Sequence, residues 1–135
     1  MFQLTESDQQ FLLQIARKSV QCYLADGIPR LPEISAGALA ELYGVFVSIH
    51  QGHELRGCIG NVHPGGPLYR SAAECAIAAA VGDPRFLPLT AAELQTVEFE
   101  ISVLSPIEPV RDISEIEIGQ HGLMMSKRRE RKSVV

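Results

Sequence analysis

Hydrophobic side chains near the start of the chain recur with the period of an amphipathic helix, about 3.6 residues. The positions that define this stripe are Phe11, Leu12, Ile15, Ala16, Val20, Tyr23 and Leu24. A capping box of Ser7 and Gln10 predicts where the helix begins, and Gly27 predicts where it ends. A second helix is predicted from Pro67 to about Gly82, where a stripe of small apolar side chains indicates close packing against a sheet.

Apolar side chains alternate with polar ones in other stretches, which predicts β-strands. These stretches are residues 44–49, 54–59 and 97–104, followed by a hairpin of Ile113–Ile118 and Leu123–Met125. Short helices are predicted at Ala36–Leu42 and after a capping box of Thr90 and Glu93. Because hairpins and helices join the strands in mixed order, the pattern favours the α+β class, with a mostly antiparallel sheet and packed helices.

The turn between the first two predicted strands decides which side chains share a face of the sheet. A two-residue loop of Gln51 and Gly52 would place Arg56 beside the valines of residues 44–49. A three-residue loop with a left-handed Gly52 and a bulge separates apolar from polar side chains, and we prefer it. That register groups Val45, Val47 and Ile49 with Leu55 and Ile59 on one face. The opposite face then holds Phe46, Ser48, His50, Glu54, Arg56 and Cys58.

Length and composition indicate one globular domain. The 135 residues suffice for one hydrophobic core, so residues 1–135 are predicted to form a single domain, and 46% hydrophobic content excludes general disorder. No apolar run reaches the ~18 residues that span a bilayer, and the N-terminus does not resemble a signal peptide. Three separated cysteines without a CxxC pair suit a reducing compartment, so we expect the protein in the cytoplasm, or in the nucleus of a eukaryotic cell.

The formal charge of −4 conceals an uneven distribution. The first 126 residues contain 7 basic and 15 acidic side chains, whereas residues 127–132 contain five basic side chains and one acidic. A body with a net charge of −8 repels nucleic acid, so no nucleic-acid partner is expected. Six of the seven basic side chains in the body are arginines, which indicates planar partners such as carboxylate or phosphate.

The most unusual segment is residues 55–60, in which glycines surround a cysteine that follows an arginine. A glycine within a strand often marks the close approach of another backbone or of a ligand, and here that glycine is Gly57. Arg56 and Cys58 would lie on one face about 7 Å apart, where the cation would favour the thiolate. The amides of Gly60 and Asn61 could form an anion nest. Alternatively, Cys58 is a small buried hydrophobe and Arg56 a surface ion-pair partner.

The hexapeptide Leu55-Arg56-Gly57-Cys58-Ile59-Gly60 resembles the signature motif of the AMMECR-one domain family. Other stretches match the family in the same order along the chain. They are Gly44-Val45-Phe46-Val47, Asp83-Pro84-Arg85-Phe86 with Pro88-Leu89, Glu100-Ile101-Ser102-Val103-Leu104-Ser105-Pro106, and Ile118-Gly119 with His121-Gly122-Leu123. The resemblance thus runs from about Gly44 to Ser126.

The resemblance implies an α+β fold with a topology of its own and a functional role for the hexapeptide. In this chain, the resemblance assigns that role to Arg56, Gly57, Cys58 and Gly60. Asp83 and Arg85 match family positions without an assigned role. The family's biochemical activity is not settled, but its bacterial members are associated with a Memo-like protein and a radical-SAM protein, which implies a protein partner.

Family members continue beyond the basic segment into a further strand and a Trp-containing helix, whereas this chain stops at Val135. The chain therefore resembles a member that lacks its C-terminal part. On that hypothesis the basic run is an interrupted hairpin rather than a nucleic-acid tail. The missing strand would leave an exposed edge or apolar face that promotes self-association.

The histidines give weaker signals. His50, His53, Cys58 and His63 could form a soft-metal cluster, but His50 and His53 fall on opposite faces in the preferred register, so we expect no metal and no cofactor. A cysteine nucleophile needs a base, for which His50, His63 and His121 are the candidates. None of them is placed convincingly by the sequence.

Two functional hypotheses follow. The first is a binding module that recognises a protein partner or a small anionic ligand through the face of Arg56, Gly57 and Cys58, with Phe46 as a further interface anchor. The second is an enzyme in which Cys58 acts as nucleophile or acid/base. In the enzyme, Arg56 or Arg85 would anchor an anionic substrate, and the loop amides after Gly60 would stabilise an oxyanion.

Overall fold

The fold is that of a computed structural model, which describes residues 4–28, 30–104, 122–126 and 131–134. The elements are α1 (Glu6–Asp26), a 3₁₀ turn (Ala38–Ala40), β1 (Gly44–Gln51), β2 (Glu54–Asn61), α2 (Leu68–Val81), α3 (Ala91–Leu94), β3 (Glu98–Leu104), β4 (Gly122–Ser126) and β5 (Arg131–Val134). Helices and hairpins alternate without a parallel crossover among the described strands. The α+β class is therefore confirmed.

The described strands form one five-stranded antiparallel sheet in the order β2-β1-β3-β4-β5. β4 and β5 pair antiparallel, from Ser126 with Arg131 to Leu123 with Val134, so Arg131 and Lys132 of the basic segment lie on a strand. Residues 127–130 lie outside the described residues. The predicted strand at Ile113–Ile118 and the turn residue His121 lie outside the described residues. Among the described strands, β2 and β5 are the two edges of the sheet.

The core lies between the sheet and the two long helices. β1 and β3 bury alternate side chains against them, since Val47, Ile49, Phe99 and Ile101 have no exposed surface. α2 contributes small buried side chains such as Ala72, Ala76 and Ala79, which let its backbone come close to the sheet. The predicted stripe of small residues is thus confirmed as a packing surface.

The helix boundaries differ in part from the sequence prediction. The capping box of α1 is formed by Thr5 and Asp8, because the Thr5 hydroxyl accepts from the Asp8 amide at 3.0 Å and the Asp8 carboxylate accepts from the Thr5 amide at 3.3 Å. The predicted Ser7 cap was wrong, and that residue lies inside the helix. Gly27 ends α1 with a φ of 77°, as predicted. The predicted helix at Ala36–Leu42 is only a single 3₁₀ turn.

The observed turn between β1 and β2 differs from both turns considered from the sequence. Gln51 pairs with Glu54, so the loop contains two residues, and Gly52 is left-handed as predicted, with a φ of 63°. The extra residue is Arg56, which forms a bulge because His50 pairs with Leu55 whereas Ile49 already pairs with Gly57. Beyond the bulge, Cys58 lies opposite Ser48 and Ile59 opposite Val47, so both side chains keep the faces that the preferred register gave them. Leu55 does not join the core face and remains 36% exposed.

Candidate functional site

Gly57 sits where the motif strand meets α2. A Cβ atom at this position would lie 2.0 Å from the backbone oxygen of Ala79 and 2.9 Å from its carbonyl carbon. The hydrogen that takes the place of this Cβ points at the carbonyl, which is the arrangement of a Cα–H···O contact. The close approach expected of this glycine is therefore confirmed, and the neighbour is a backbone rather than a ligand.

Arg56 is held by the segment that runs beside β2, the edge strap (residues 83–93). Its Nε and Nη2 donate to the Glu93 carboxylate at 2.9 and 3.1 Å, Nη1 donates to the Leu87 carbonyl at 2.6 Å, and Nη2 also donates to the Pro88 carbonyl at 3.3 Å. The guanidinium keeps the pKa of Glu93 below its usual value, with help from the Thr90 amide. All three nitrogens are thus engaged, and Arg56 would have to release these partners before it could hold a ligand.

Cys58 is half-buried on β2, and its backbone points to the strap while its side chain points to a neighbouring strand. The amide donates to Asp83 Oδ2 at 3.1 Å. The Ser48 Oγ lies 3.3 Å from the Cys58 Sγ, as hydroxyl donor to the sulfur. The thiol therefore lies on the face of the sheet opposite α2, and it is not sealed in the core.

Asp83 and Arg85 form the strongest ion pair of the site. Arg85 donates from Nε to Asp83 Oδ1 at 3.0 Å and from Nη2 to Oδ2 at 2.7 Å, while the Asp83 side chain is 2% exposed and that of Arg85 58% exposed. These side-chain bonds, helped by the amides of Arg85 and Cys58, hold the pKa of Asp83 well below its usual range. The buried carboxylate thus connects the edge of β2 to the strap.

The arginine side chain that lies beside Cys58 is that of Arg85, not that of Arg56. Arg85 Nη2 lies 3.5 Å from the Cys58 carbonyl oxygen. The pKa of Arg85 is raised, chiefly by the hydrogen bond and charge of Asp83, and Coulombic attraction to Cys58 adds to the shift. The guanidinium also lies over the Phe86 ring, 5.2 Å from its centroid. The expected Arg56–Cys58 pair is therefore replaced by Arg85 and Cys58, because the bulge turns Arg56 toward Glu93.

Gly60 and Asn61 do not form the predicted anion nest. β2 continues through Asn61, which pairs with Val45, and successive amides of an extended strand point in opposite directions. The Asn61 side chain points back to the helix layer, where its Nδ2 lies 3.9 Å from the Cys75 Sγ. A Cβ on Gly60 would lie 2.2 Å from the Phe46 ring, so this glycine makes room for the aromatic side chain. Of these two residues, Gly60 is the one whose amide points away from β1.

The face of the sheet that carries the thiol also holds ionisable groups. His50 Nε2 lies 3.8 Å from Glu100 Oε2, and their side chains are 27% and 17% exposed. His50 and Ser48 are on β1, between Cys58 on β2 and Glu100 on β3. His63 is exposed in the loop after β2, away from this row. Within residues 4–28, 30–104, 122–126 and 131–134, no group of three or more metal-ligating side chains is arranged to hold an ion.

Sequence reasoning missed the contacts that cross long stretches of chain. Glu93 was recognised only as a helix cap, although it binds Arg56 across 37 positions. Asp83 was a matched family position without a role, and it binds the Cys58 amide across 25 positions. No periodicity links such distant residues. The one signal in the sequence was the short spacing of Asp83 and Arg85, which does not show what either side chain contacts.

This geometry defines a class of protein: an α+β domain that carries the hexapeptide on an edge strand and binds that strand through a buried aspartate. The AMMECR1 family model matches residues 13–135, and the chain belongs to this family, as its motifs suggested. Protein MK0488 of Methanopyrus kandleri is 38% identical over 133 residues, covering 92% of this chain and 64% of that protein. A protein of Thermococcus gammatolerans is 36% identical over 138 residues, covering 94% of this chain and 67% of its own length.

A solved structure supports the same fold. The uncharacterized protein PH0010 from Pyrococcus horikoshii superposes with a TM-score of 0.78 at 33% identity, covering 90% of this chain and 66% of that one. The chain thus spans about two thirds of the length of the relatives that it matches. No helix within the described part of the chain is long and apolar enough to cross a membrane.

Proposed function

We propose that this domain is a binding module, and that its recognition surface consists of the edge of β2 at Cys58–Asn61 and the exposed side chain of Arg85. The observation that carries the proposal is the contrast between the two arginines of the site. Arg56 uses all three nitrogens within the protein, whereas Arg85 is 58% exposed and held in one orientation by a buried carboxylate. A rigid, exposed guanidinium is suited to bind an anionic group.

Arg56 and Asp83 act as supporting residues in this proposal. Arg56 holds the strap against the edge of β2, and Asp83 orients Arg85. Phe46 and Gly60 shape the adjoining face. The ligand is a small anion, or an acidic side chain of a partner protein such as the Memo-like protein that the family resemblance implies. Three free thiols support a reducing, cytoplasmic location for this interaction.

The proposal is tested by amide NMR spectra of the ¹⁵N-labelled chain during titration with acetate, citrate and inorganic phosphate, and separately with a purified Memo-like protein. We expect shifts confined to residues 57–61 and 83–87. Arg30 provides a matched control, since it is 55% exposed and also 2.7 Å from an aspartate, Asp26. Arg85→Ala should abolish the shifts and Arg30→Ala should not. Shifts that map elsewhere, or that survive Arg85→Ala, would contradict the proposal.

A second candidate function is a cysteine-dependent enzyme, which the contacts of Cys58 favour. The Ser48 hydroxyl lies 3.3 Å from the sulfur, Arg85 Nη2 lies 3.5 Å from the Cys58 carbonyl oxygen, and His50 with Glu100 lies on the same face. Such groups could stabilise a thiolate and serve as base. The test is the rate of iodoacetamide alkylation of Cys58 against pH in a Cys22→Ser background. An apparent pKa well below about 8.5 supports the enzyme, and an ordinary value refutes it.

A further inference from the structure

The strap covers the edge of β2 only as far as Cys58. The Cys58 amide donates to Asp83, so it points away from β1, and the Ser48–Cys58 pair is of the type that does not exchange backbone hydrogen bonds. The pairs alternate along an antiparallel ladder, so Phe46–Gly60 is of the same type and the Gly60 amide also points away from β1. No residue in the described part of the chain accepts a hydrogen bond from this amide.

The guanidinium of Arg85 ends at the same edge of β2, beside the Cys58 carbonyl. Nη2 lies 3.5 Å from the Cys58 carbonyl oxygen, and the next outward group along the strand is the Gly60 N–H, about 4–5 Å further at the rise of an extended chain. Nε and Nη2 are engaged by Asp83, whereas Nη1 has no acceptor among the described residues. Nη1 and the Gly60 amide are therefore two donors without acceptors among the described residues, and both lie along the same edge of β2.

We infer that an oxyanion, either a carboxylate or a phosphate, binds between Arg85 Nη1 and the backbone N–H of Gly60. The inference rests on the proposed binding function and names the chemical group that the surface recognises. One oxygen accepts from Nη1 and a second accepts from the Gly60 amide. This pairing is the usual way in which proteins combine a guanidinium with a backbone amide to hold an anion.

Asp83 determines the kind of anion site that results. Its carboxylate is buried, and the low pKa keeps it ionised, so it neutralises the charge of Arg85 while fixing the guanidinium in place. Binding then comes from directed hydrogen bonds more than from net charge. A compact oxyanion with two acceptor oxygens fits better than a diffuse polyanion, since the surrounding body of the chain is acidic.

The experiment follows the Gly60 amide in NMR spectra of the full chain, with acetate in one arm and inorganic phosphate in the other. We expect a saturable downfield shift of the Gly60 amide proton in at least one arm, and the arm that binds more tightly identifies the source of the oxyanion. The amides of Gly27, at the end of α1, and Gly37, just before the 3₁₀ turn, serve as controls and should not move.

Arg85→Gln should weaken binding about tenfold or more, the loss expected for one charge-assisted hydrogen bond. Arg30→Gln, the matched control, should bind as the wild-type chain does. A melting curve establishes that the Arg85 variant is folded. Shifts at residues 57–59, 61 and 83–87 that are lost in Arg85→Gln but come without a Gly60 shift would overturn the inference and leave the binding module intact. Unchanged binding by Arg85→Gln would overturn both. Failure of all anions and of the Memo-like protein would overturn both.

Discussion

Replacing Gly57 with alanine should destabilise the domain more than any other single-methyl addition in the hexapeptide. The new Cβ would lie 2.0 Å from the Ala79 backbone oxygen, whereas carbon and carbonyl oxygen ordinarily stay about 3.3 Å apart. More than 1 Å of separation must therefore be created between β2 and α2, roughly the difference between those distances. Neither partner is a flexible side chain, so backbone has to move.

Overpacking of a core typically costs 1–3 kcal/mol, and the rigid contact at Gly57 places this substitution near about 3 kcal/mol. For a chain of 135 residues the entropy of unfolding is about 0.28 kcal/mol per kelvin, so the melting temperature should fall by about 10 °C. Urea denaturation gives the free energy of unfolding independently. The slope of that transition should remain unchanged, because the native surface changes little.

Gly65→Ala is the matched control, since a Cβ there meets nothing within 4 Å. It should change the free energy of unfolding by less than about 0.5 kcal/mol. Ala79→Gly should not rescue Gly57→Ala, because the atom that collides belongs to the backbone. A melting temperature of Gly57→Ala within about 2 °C of the wild type would refute the reasoning, as would rescue by Ala79→Gly.

Three further predictions concern the cysteine of α2 and the ion pairs of the strap. Burial raises the pKa of Cys75 to about 11, so it should resist iodoacetamide near pH 8 until the chain unfolds; mass spectrometry that finds it labelled in the native protein would contradict this. Arg56→Lys keeps the charge but loses the fork of donors to Glu93 and the strap carbonyls, and urea denaturation should show a loss of about 1–2 kcal/mol; no measurable loss would rule out a supporting role. The lowered pKa of Asp83 means that its contribution to stability is complete above its unfolded value of 3.8 and is lost as the pH falls through the lower native value. Asp83→Asn should therefore be less stable near pH 7 and lose less additional stability on acidification below about pH 4, and parallel pH profiles of wild type and variant would contradict this.

The local sequence pattern predicted most elements of this fold, because helical periodicity, strand alternation and a helix-ending glycine such as Gly27 each depend on only a few neighbouring residues. It could not choose between Thr5 and Ser7 as the helix cap, since both have a hydroxyl and both are followed three residues later by a side chain that can complete the box. The register of β1 and β2 was half right. The bulge at Arg56 brings Gly57 into register against the Ala79 backbone of α2. Turn geometry alone cannot predict it, because it depends on a contact with a distant helix.

The candidate site, too, could be predicted only in part from the sequence. The hexapeptide could be found from its residues, but the partner of each arginine could not. Arg56 binds Glu93 and the strap carbonyls, and the guanidinium that lies beside Cys58 is that of Arg85. These pairs are created when residues 83–93 fold back along β2. Such a contact depends on the path of the chain after α2, which the hydrophobic pattern does not specify.

The strap has a consequence for assembly. An uncovered outer strand is a template on which another chain can add, but the buried Asp83 carboxylate on the Cys58 amide and the hydrogen bonds from Arg56 to the strap prevent this along β2 as far as Cys58. A partner strand could then pair with the outer side of β2 only beyond Cys58, over residues 59–61, which is too short a stretch to extend the sheet.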